Sequence, residues 1–273
     1  MRQNHLVIIL LSLLVMLCTG CTSTPKNENE MDMADPHESF NRKSYWFTDV
    51  IDRNILEPVA DVYIEHVPLA VQRPVGNFYR NLAYPSVALN AFLQGKIRQG
   101  VEDSLRFVIN STIGIFGLAD MAGHMGFKEH EEDFGQTLAV WGLNSGSYIF
   151  VPVYGPSSQR DIADLPVSFF TDALFYASYV ISGPVMIPLV FLRVVDKRAR
   201  LSGPMKIRDQ SALDPYLFVR EAYTQQREFL IHDGNPPTDR YDHLHIDIEE
   251  VDDDDNDEKS DDENDKKRNE VTK

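Results

Sequence analysis

Hydrophobic residues between positions 35 and 240 recur mainly at the spacing of a helix. The clearest stripe consists of Ile97, Val101, Leu105, Val108 and Thr112. These residues fall on one side of a helix, and Gly114 and Gly117 follow where that helix should end. Only Ser147–Tyr154 has the composition of an extended segment, and no stretch shows the sustained alternation that a β-barrel requires. The pattern therefore predicts an all-α fold, a bundle of short helices.

Two predicted helices begin with the same signature, an aspartate followed by a proline. Asp35 can cap the first helix, Pro36 suits its first position, and Glu38 lies where the partner in a capping box belongs. Asp214-Pro215 repeats the signature near the end of the fold. The chain between these starts contains Pro58, Pro68, Pro74 and Pro85. Because a proline inside a helix removes a hydrogen bond, we expect these prolines to separate short helices.

The N-terminus has the pattern of a bacterial lipoprotein signal. A short region containing Arg2 precedes Leu6–Leu17, a hydrophobic run that is too short to span a bilayer, and small residues follow before Cys21. We predict a signal peptide at residues 1–20, acylation of Cys21, and a polar tether over residues 21–34. The alternative is an ordinary signal peptide with a chance cysteine. Several acyl chains on one cysteine would anchor the mature chain firmly to a membrane.

The longest uncharged stretch is Ala173–Leu192, which lies between Asp172 and Arg193. Its length is sufficient to span a bilayer, but Pro184 and Pro188 interrupt it. Three interpretations are open: a hairpin buried in the core, a spanning helix, or a bent pair of helices within one side of a bilayer. We favour the bent pair, an in-plane hydrophobic helical hairpin, because the lipoprotein signal already predicts a membrane location. Its expected membrane contacts are Val180, Ile181, Val185, Ile187 and Leu189.

The formal net charge of −16 is concentrated at the C-terminus. Residues 247–273 contain fourteen acidic and five basic residues. Runs such as Asp252–Asp255 cannot bury apolar surface, so we predict a disordered acidic tail over residues 241–273, after a helical domain at residues 35–240. No basic stripe suitable for nucleic acid is present, and we expect no nucleic-acid partner.

The sequence lacks the residue patterns of common enzyme sites. Cys18 and Cys21 are the only cysteines, and both belong to the lipoprotein signal, which excludes a catalytic thiol and a cysteine metal cage. There is no phosphate-binding Gly-Lys-Ser/Thr loop and no Gly-x-Ser-x-Gly elbow. His124 and His130 lie among acidic residues, and residues 243–245 contain two more histidines, but solvated loops are the simpler interpretation. We predict no catalytic residue, no metal and no cofactor.

Three blocks of residues, taken in order, resemble one known family. The first contains Asp35, Pro36, Glu38, Asn41 and Arg42. The second contains Arg106, Asn110, Gly114, Gly117 and Asp120. The third contains Phe134, Gly135, Gln136, Trp141, Gly142, Gly155, Arg160 and Asp161. Their order and spacing over residues 35–232 resemble the MlaA/VacJ lipoprotein family of Gram-negative outer membranes.

This resemblance implies an all-helical, ring-shaped lipoprotein that lies in the outer membrane beside trimeric porins and faces the periplasm. It implies an amphipathic channel through the ring, by which phospholipids leave the outer leaflet. A soluble periplasmic carrier would receive them and deliver them to an ATP-driven complex in the inner membrane. The residue after Cys21 is Thr22, whereas an aspartate there commonly retains lipoproteins at the inner membrane, so sorting also favours the outer membrane.

Considered as single residues, the motif positions have structural interpretations. Asp35 and Glu38 can be caps, the glycines can allow turns or close packing, and Arg160 can pair with Asp161. Arg42 can form a salt bridge or meet a lipid phosphate. The sequence assigns no channel lining. Two other functions remain open: a membrane-anchored lipase or esterase, which would need an activated nucleophile, and a purely structural lipoprotein associated with porin.

Overall fold

The computed structural model describes residues 35–237, which form helices and one small hairpin of strands. The first half of the fold contains α1 (Glu38–Ile51), a π-helical turn (Asp52–Leu56), α2 (Glu57–His66), α3 (Leu69–Leu93), α4 (Ile97–Thr112) and α5 (Met121–His124). The second half contains α6 (Phe134–Val140), β1 (Tyr148–Val151), β2 (Gly155–Ser158), a 3-10 turn (Asp161–Ala163), α7 (Asp164–Thr171), α8 (Ala173–Ala177), α9 (Gly183–Arg200), α10 (Ser202–Ser211) and α11 (Pro215–Ile231). The predicted all-α class is confirmed.

The short hairpin corresponds to the segment that the sequence indicates as extended. Strands β1 and β2 are antiparallel, with Tyr148 opposite Ser158 and Val151 opposite Gly155. The described helices and strands belong to one compact unit that ends at Ile231. The predicted signal peptide, Cys21, the tether, the paired histidines at 243–245 and the acidic tail lie outside the described residues.

Two of the four prolines do not end a helix. Pro58 and Pro68 lie at the starts of α2 and α3, as expected, but Pro74 and Pro85 lie inside the 25-residue helix α3. The expectation of short helices is therefore wrong for this segment. Helix α3 packs along α4 and also contacts α9. These tertiary contacts outweigh the loss of a hydrogen bond at each proline, because most helix stability in proteins comes from packing.

The two aspartate–proline starts behave differently. At the second start, Asp214 accepts hydrogen bonds from the backbone N–H groups of Tyr216 (2.9 Å) and Leu217 (3.2 Å), so the predicted cap is present. At the first start, α1 begins at Glu38 rather than Pro36 and has no side-chain cap. Glu38 pairs with Arg42 (2.6 Å), so the predicted capping box is wrong. The Asp35 carboxylate instead accepts the His37 N–H just before the helix, together with hydrogen bonds from Asn41 and Tyr216.

The buried faces of α1 and α4 are polar, and their hydrophobic faces are exposed. On α4 the buried residues are Gly100, Asp103, Arg106 and Asn110. The hydrophobic stripe at Ile97, Val101, Leu105 and Val108 is exposed on the other side. Likewise, α1 buries Asn41 and Ser44 and exposes Phe40, Trp46 and Phe47. This is the reverse of a surface helix in a water-soluble protein, and exposed hydrophobic surface of this extent indicates contact with another apolar phase.

The uncharged stretch 173–192 forms α8, a turn and the first half of α9. The two charges that bound it, Asp172 and Arg193, form an ion pair at the base of this hairpin. Val180 is 88% exposed and Ile187 is 71% exposed, so the buried-core interpretation is wrong. No helix within residues 35–237 is both long enough and apolar enough to cross a membrane, which rules out the spanning helix in this stretch. The stretch is a bent pair of helices with exposed hydrophobic side chains.

Candidate functional site

Arg106 is the centre of a buried polar cluster. Its guanidinium donates from Nε to the Tyr84 hydroxyl (2.7 Å) and from Nη2 to both carboxylate oxygens of Asp120 (3.0 and 3.1 Å). Nη1 donates to the carbonyl oxygen of Phe127. Only 2% of the residue is exposed. A buried cation needs a partner for each of its donors. Because the partners of Arg106 come from α3 and from the residues on both sides of α5, this one side chain holds these segments against α4.

Asp120 connects this cluster to the backbone. It caps α5 by accepting the Gly123 N–H (3.0 Å), and it accepts from Nδ2 of Asn110 (3.0 Å). Burial alone would raise the pKa of Asp120, but the Gly123 N–H, Asn110 and Arg106 outweigh it and hold the pKa below its ordinary value. The second sequence block is therefore one hydrogen-bonded unit around an ionised carboxylate.

Asp161 is the centre of a second cluster. Its carboxylate pairs with Nε of Arg160 (2.9 Å), as the sequence suggests, and with Nε of Arg227 from α11 (3.0 Å). The Tyr223 hydroxyl also donates to it. Burial raises the pKa of Asp161, but Arg227, Tyr223 and Arg160 lower it further, so the pKa lies below its ordinary value. The third block is thus held against the last helix of the fold.

Asn41 joins the first block to the strand hairpin. The side chain is fully buried, its Nδ2 donates to Asp35 (3.0 Å) and to the Tyr148 carbonyl (3.0 Å), and its Oδ1 accepts the Phe150 N–H (2.8 Å). The hydroxyl of Tyr216 on α11 also donates to Asp35. These contacts tie the start of α1 to the hairpin and to α11.

Arg42, next to Asn41, is engaged in ion pairs. Its Nη2 lies 2.7 Å from Asp214, its Nε lies 2.6 Å from Glu38, and the guanidinium stacks over the Tyr216 ring at 4.6 Å. Of the two interpretations of Arg42, the structure therefore shows the salt bridge.

The remaining residues of the third block position α6. Asp133 caps this helix by accepting the Gln136 N–H (2.8 Å), and the Phe134 N–H donates to Asp164 (2.9 Å). The half-exposed Trp141 donates from its indole nitrogen to the Leu93 carbonyl (3.1 Å). The block joins α6 to the end of α3 and the start of α7.

The glycines of the blocks fall into two groups. A Cβ would lie 2.3 Å from the Ala119 carbonyl at Gly114, 2.4 Å from the Asn81 Cβ at Gly117 and 2.4 Å from the Asp161 carboxylate at Gly135. These positions need the absence of a side chain for close packing. Gly142 (φ +90°) and Gly155 (φ +115°) have open space and a left-handed backbone conformation that suits turns.

We expect Gly117→Ala to destabilise the fold more than Gly142→Ala. Both positions have positive φ, which costs an alanine about 1–2 kcal/mol. Only at Gly117 does the new Cβ also collide with Asn81, which adds roughly 1–3 kcal/mol from overpacking. Thermal unfolding of the two purified variants measures the difference. Equal destabilisation would show that Gly117 is required for its backbone conformation alone.

Two arginines that form buried ion pairs are not among the motif residues of the sequence. Arg227 was not singled out, and neither was Arg198, which lies 2.6 Å from Asp52 and is buried with it. The sequence does contain a signal for the polar buried face of α4. Asp103, Arg106 and Asn110 recur there at intervals of three and four, opposite the hydrophobic stripe. Within residues 35–237, no group of three or more His, Cys, Asp or Glu side chains could hold a metal ion.

Hydrophobic helix faces on the outside and paired charges inside define a helical protein that works in contact with lipid. Comparison with known proteins agrees with this class. The profile of the MlaA lipoprotein family matches residues 33–230. The chain therefore belongs to the MlaA lipoprotein family.

Individual relatives cover most of the chain. The "Intermembrane phospholipid transport system lipoprotein MlaA" of Shigella flexneri is 34% identical over 228 residues, which cover 82% of this chain and 88% of the relative. The protein of the same name in Escherichia coli K12 is 33% identical over 228 residues, with the same coverage. A solved structure described as "Structural basis for maintenance of bacterial outer membrane lipid asymmetry" aligns with a TM-score of 0.62 at 32% identity. It covers 72% of this chain and 99% of the solved chain.

Proposed function

We propose that this chain removes mislocalised phospholipids from the outer leaflet of the outer membrane and passes them to a periplasmic carrier, which maintains lipid asymmetry. Its relatives are named for intermembrane phospholipid transport. The observation that carries the proposal is the reversed pattern of burial, with exposed hydrophobic faces on α1, α4 and α9 and paired polar groups inside. Such a protein can contact acyl chains without exposing its own charges to them.

The physical problem in this function is the transfer of the acyl chains. Moving a phospholipid through water would expose roughly thirty methylene groups at about 0.8 kcal/mol each, on the order of 20 kcal/mol. A protein lowers this barrier when it keeps the acyl chains in apolar surroundings and gives the headgroup a polar route. The amphipathic channel and the ring shape belong to this proposal and follow from the family resemblance.

Polar groups at membrane depth must find partners inside the protein, since lipid supplies none. The clusters around Arg106 and Asp161 meet this requirement for side chains, and the helices meet it for the backbone. These clusters hold short helices together where hydrophobic burial is weak as a driving force, because the outer faces are already covered by lipid.

We propose that the α8–α9 hairpin supplies the membrane contact, through the side chains of Val180, Ile181, Val185, Ile187 and Leu189. Aromatic rings gather at the first helix of this hairpin. The ring centroids of Phe169 and Phe175 are 4.7 Å apart, and those of Phe175 and Tyr179 are 5.5 Å apart. Aromatic residues of this kind are frequent at membrane interfaces. In this proposal the Asp172–Arg193 ion pair, at the base of the hairpin, lies at the edge of the apolar region of the membrane.

The proposed location is the outer membrane, with an acyl anchor on Cys21 and the fold on the periplasmic side. A trimeric porin is the proposed neighbour in the membrane, and the carrier of the same transport system is the proposed acceptor of lipid. The support for both partners is the family resemblance. The protein acts without a cofactor and without catalysis in this proposal.

Mass spectrometry of the full chain extracted in mild detergent tests these statements together. We expect a mature N-terminus that begins at acylated Cys21, bound phospholipid, and porin captured by crosslinking before extraction. A Cys21→Ala chain is the matched control and should lose the acyl groups. A soluble, unacylated wild-type chain without lipid would contradict the proposal. Porin without phospholipid would favour the purely structural role, and release of fatty acid from labelled phospholipid would favour a lipase.

A further inference from the structure

A cavity of about 880 Å³ lies where the N-terminus of α4 meets the loop that follows α5. Its volume is in the range of sites that hold small organic ligands. The lining includes three cationic side chains, Lys96, Arg98 and Lys128, and one carboxylate, Glu102. The carboxylate of Glu132 lies against Lys96, so these five side chains carry one more positive than negative charge, in a chain with a formal net charge of −16.

The three cations differ in how firmly they are held. Lys96 lies 2.9 Å from Glu132, a buried carboxylate that also accepts from Gln99 (2.7 Å), so its position is fixed. The Arg98 side chain is 94% exposed and contacts Glu102 (2.9 Å) four residues along the same helix. Exposed pairs of this kind contribute little stability, so Arg98 can turn to an anionic ligand at low cost. Lys128 is exposed and makes no ion pair within residues 35–237.

The polar wall of the cavity continues into a hydrophobic one. Ile97 and Met125 line the same cavity, and both are exposed. Ile97 is also the first residue of the hydrophobic stripe on α4. No side chain caps the start of α4, so the positive end of the helix adds to the cationic lining. The cavity is therefore amphipathic, with anion-binding groups at one end of a hydrophobic helix face.

We propose that this cavity binds the phosphate of a phospholipid headgroup, with Arg98 and Lys128 as its movable cations. The first part of each acyl chain would then contact Ile97 and Met125. The excess of positive charge gives a preference for anionic headgroups over zwitterionic ones. This inference rests on the proposed function and names the lipid class that the chain selects.

The test uses the full lipoprotein in detergent and titrates it calorimetrically with three probes: dihexanoyl phosphatidylglycerol, dihexanoyl phosphatidylcholine and inorganic phosphate. We expect the anionic lipid to bind most tightly and inorganic phosphate most weakly. Arg98→Glu with Lys128→Glu should weaken binding of the anionic lipid at least tenfold, since charged hydrogen bonds are lost and repulsion is added. Lys43→Glu with Lys206→Glu is the matched control, because it changes two exposed lysines outside the cavity by the same charge.

Each outcome decides the assignment. Equal binding of inorganic phosphate and anionic lipid would overturn it in favour of a free-phosphate site. Unchanged affinity in the Arg98/Lys128 variant, or equal loss in the control, would also overturn it. A wild-type chain that restores lipid asymmetry in cells but binds no headgroup here would refute the site and leave the transport function. A chain that binds through these cations yet restores no asymmetry would refute the transport function and leave the site.

Discussion

Arg106→Leu is expected to lower the stability of the fold by about 3 kcal/mol and, as a result, to reduce the amount of protein in the membrane. The guanidinium satisfies Tyr84, Asp120 and the Phe127 carbonyl at once, and leucine can replace none of these hydrogen bonds. Breaking a buried ion pair by deleting one partner costs about 3–5 kcal/mol, and Asp120, which is partly exposed and keeps Asn110 and Gly123, favours the lower figure. A loss of about 3 kcal/mol is a large fraction of the 5–15 kcal/mol that stabilises a typical domain.

Thermal unfolding in mild detergent and the amount of protein in the outer membrane measure this effect. Arg73→Leu is the matched control because Arg73 is exposed on α3. We expect the control to unfold at nearly the wild-type temperature. An Arg106→Leu protein as stable as the control would show that the cluster is not a structural centre of the fold.

Charged residues on the α8–α9 hairpin should abolish function without unfolding the protein. Val180 and Ile187 are among its most exposed side chains, so aspartate meets no steric conflict in the fold. If these side chains contact acyl chains, each aspartate costs about 2.5–3.5 kcal/mol at membrane depth. In the double variant Val180→Asp with Ile187→Asp, the hairpin should therefore no longer contact the acyl chains. We expect this variant to lose its ability to maintain lipid asymmetry.

The readouts are unfolding temperature in detergent, which should stay near the wild-type value, and sensitivity of a complemented deletion strain to detergent, which should resemble that of the deletion. Val180→Ala with Ile187→Ala keeps both positions apolar and should complement. If the aspartate variant also complements, the hairpin does not contact lipid, and the proposed membrane contacts are wrong.

The sequence predicted where several helices lie but not which face they bury. The spacing on α4 identified its length and its end at Thr112, because periodicity depends only on local geometry. The spacing does not say whether the hydrophobic stripe faces a protein core or lipid, and the structure exposes the stripe and buries Asp103 and Arg106. A helix in water and a helix in lipid share one period, so the choice between them needs knowledge of the surroundings.

Local rules failed where distant contacts compete with them. Pro85 breaks a helix in isolation, but α3 continues through it against α4. Asp35 is a good cap by composition, yet its carboxylate accepts the His37 N–H ahead of the helix and hydrogen bonds from Asn41 and from Tyr216 on the last helix. Neither result follows from neighbouring residues, since the decisive contact comes from elsewhere in the chain.

The motif residues of the site were found in sequence, but most of their partners were not. Arg160 and Asp161 are adjacent, so their ion pair could be anticipated, whereas the pairing of Asp161 with Arg227 crosses 66 positions. The cationic cavity at Arg98 and Lys128 has no sequence signal, because its residues come from two separated segments. Resemblance to a family identified the function, and the structure supplied the contacts.

The most direct test of the central claim is the amount of phospholipid in the outer leaflet of cells. Deletion of the gene should raise it, seen as increased acylation of lipid A by a phospholipid-dependent outer-membrane acyltransferase, and the wild-type chain should return it to the parental level. Unchanged outer-leaflet phospholipid in the deletion strain, with no second pathway for the same transfer, would contradict the account.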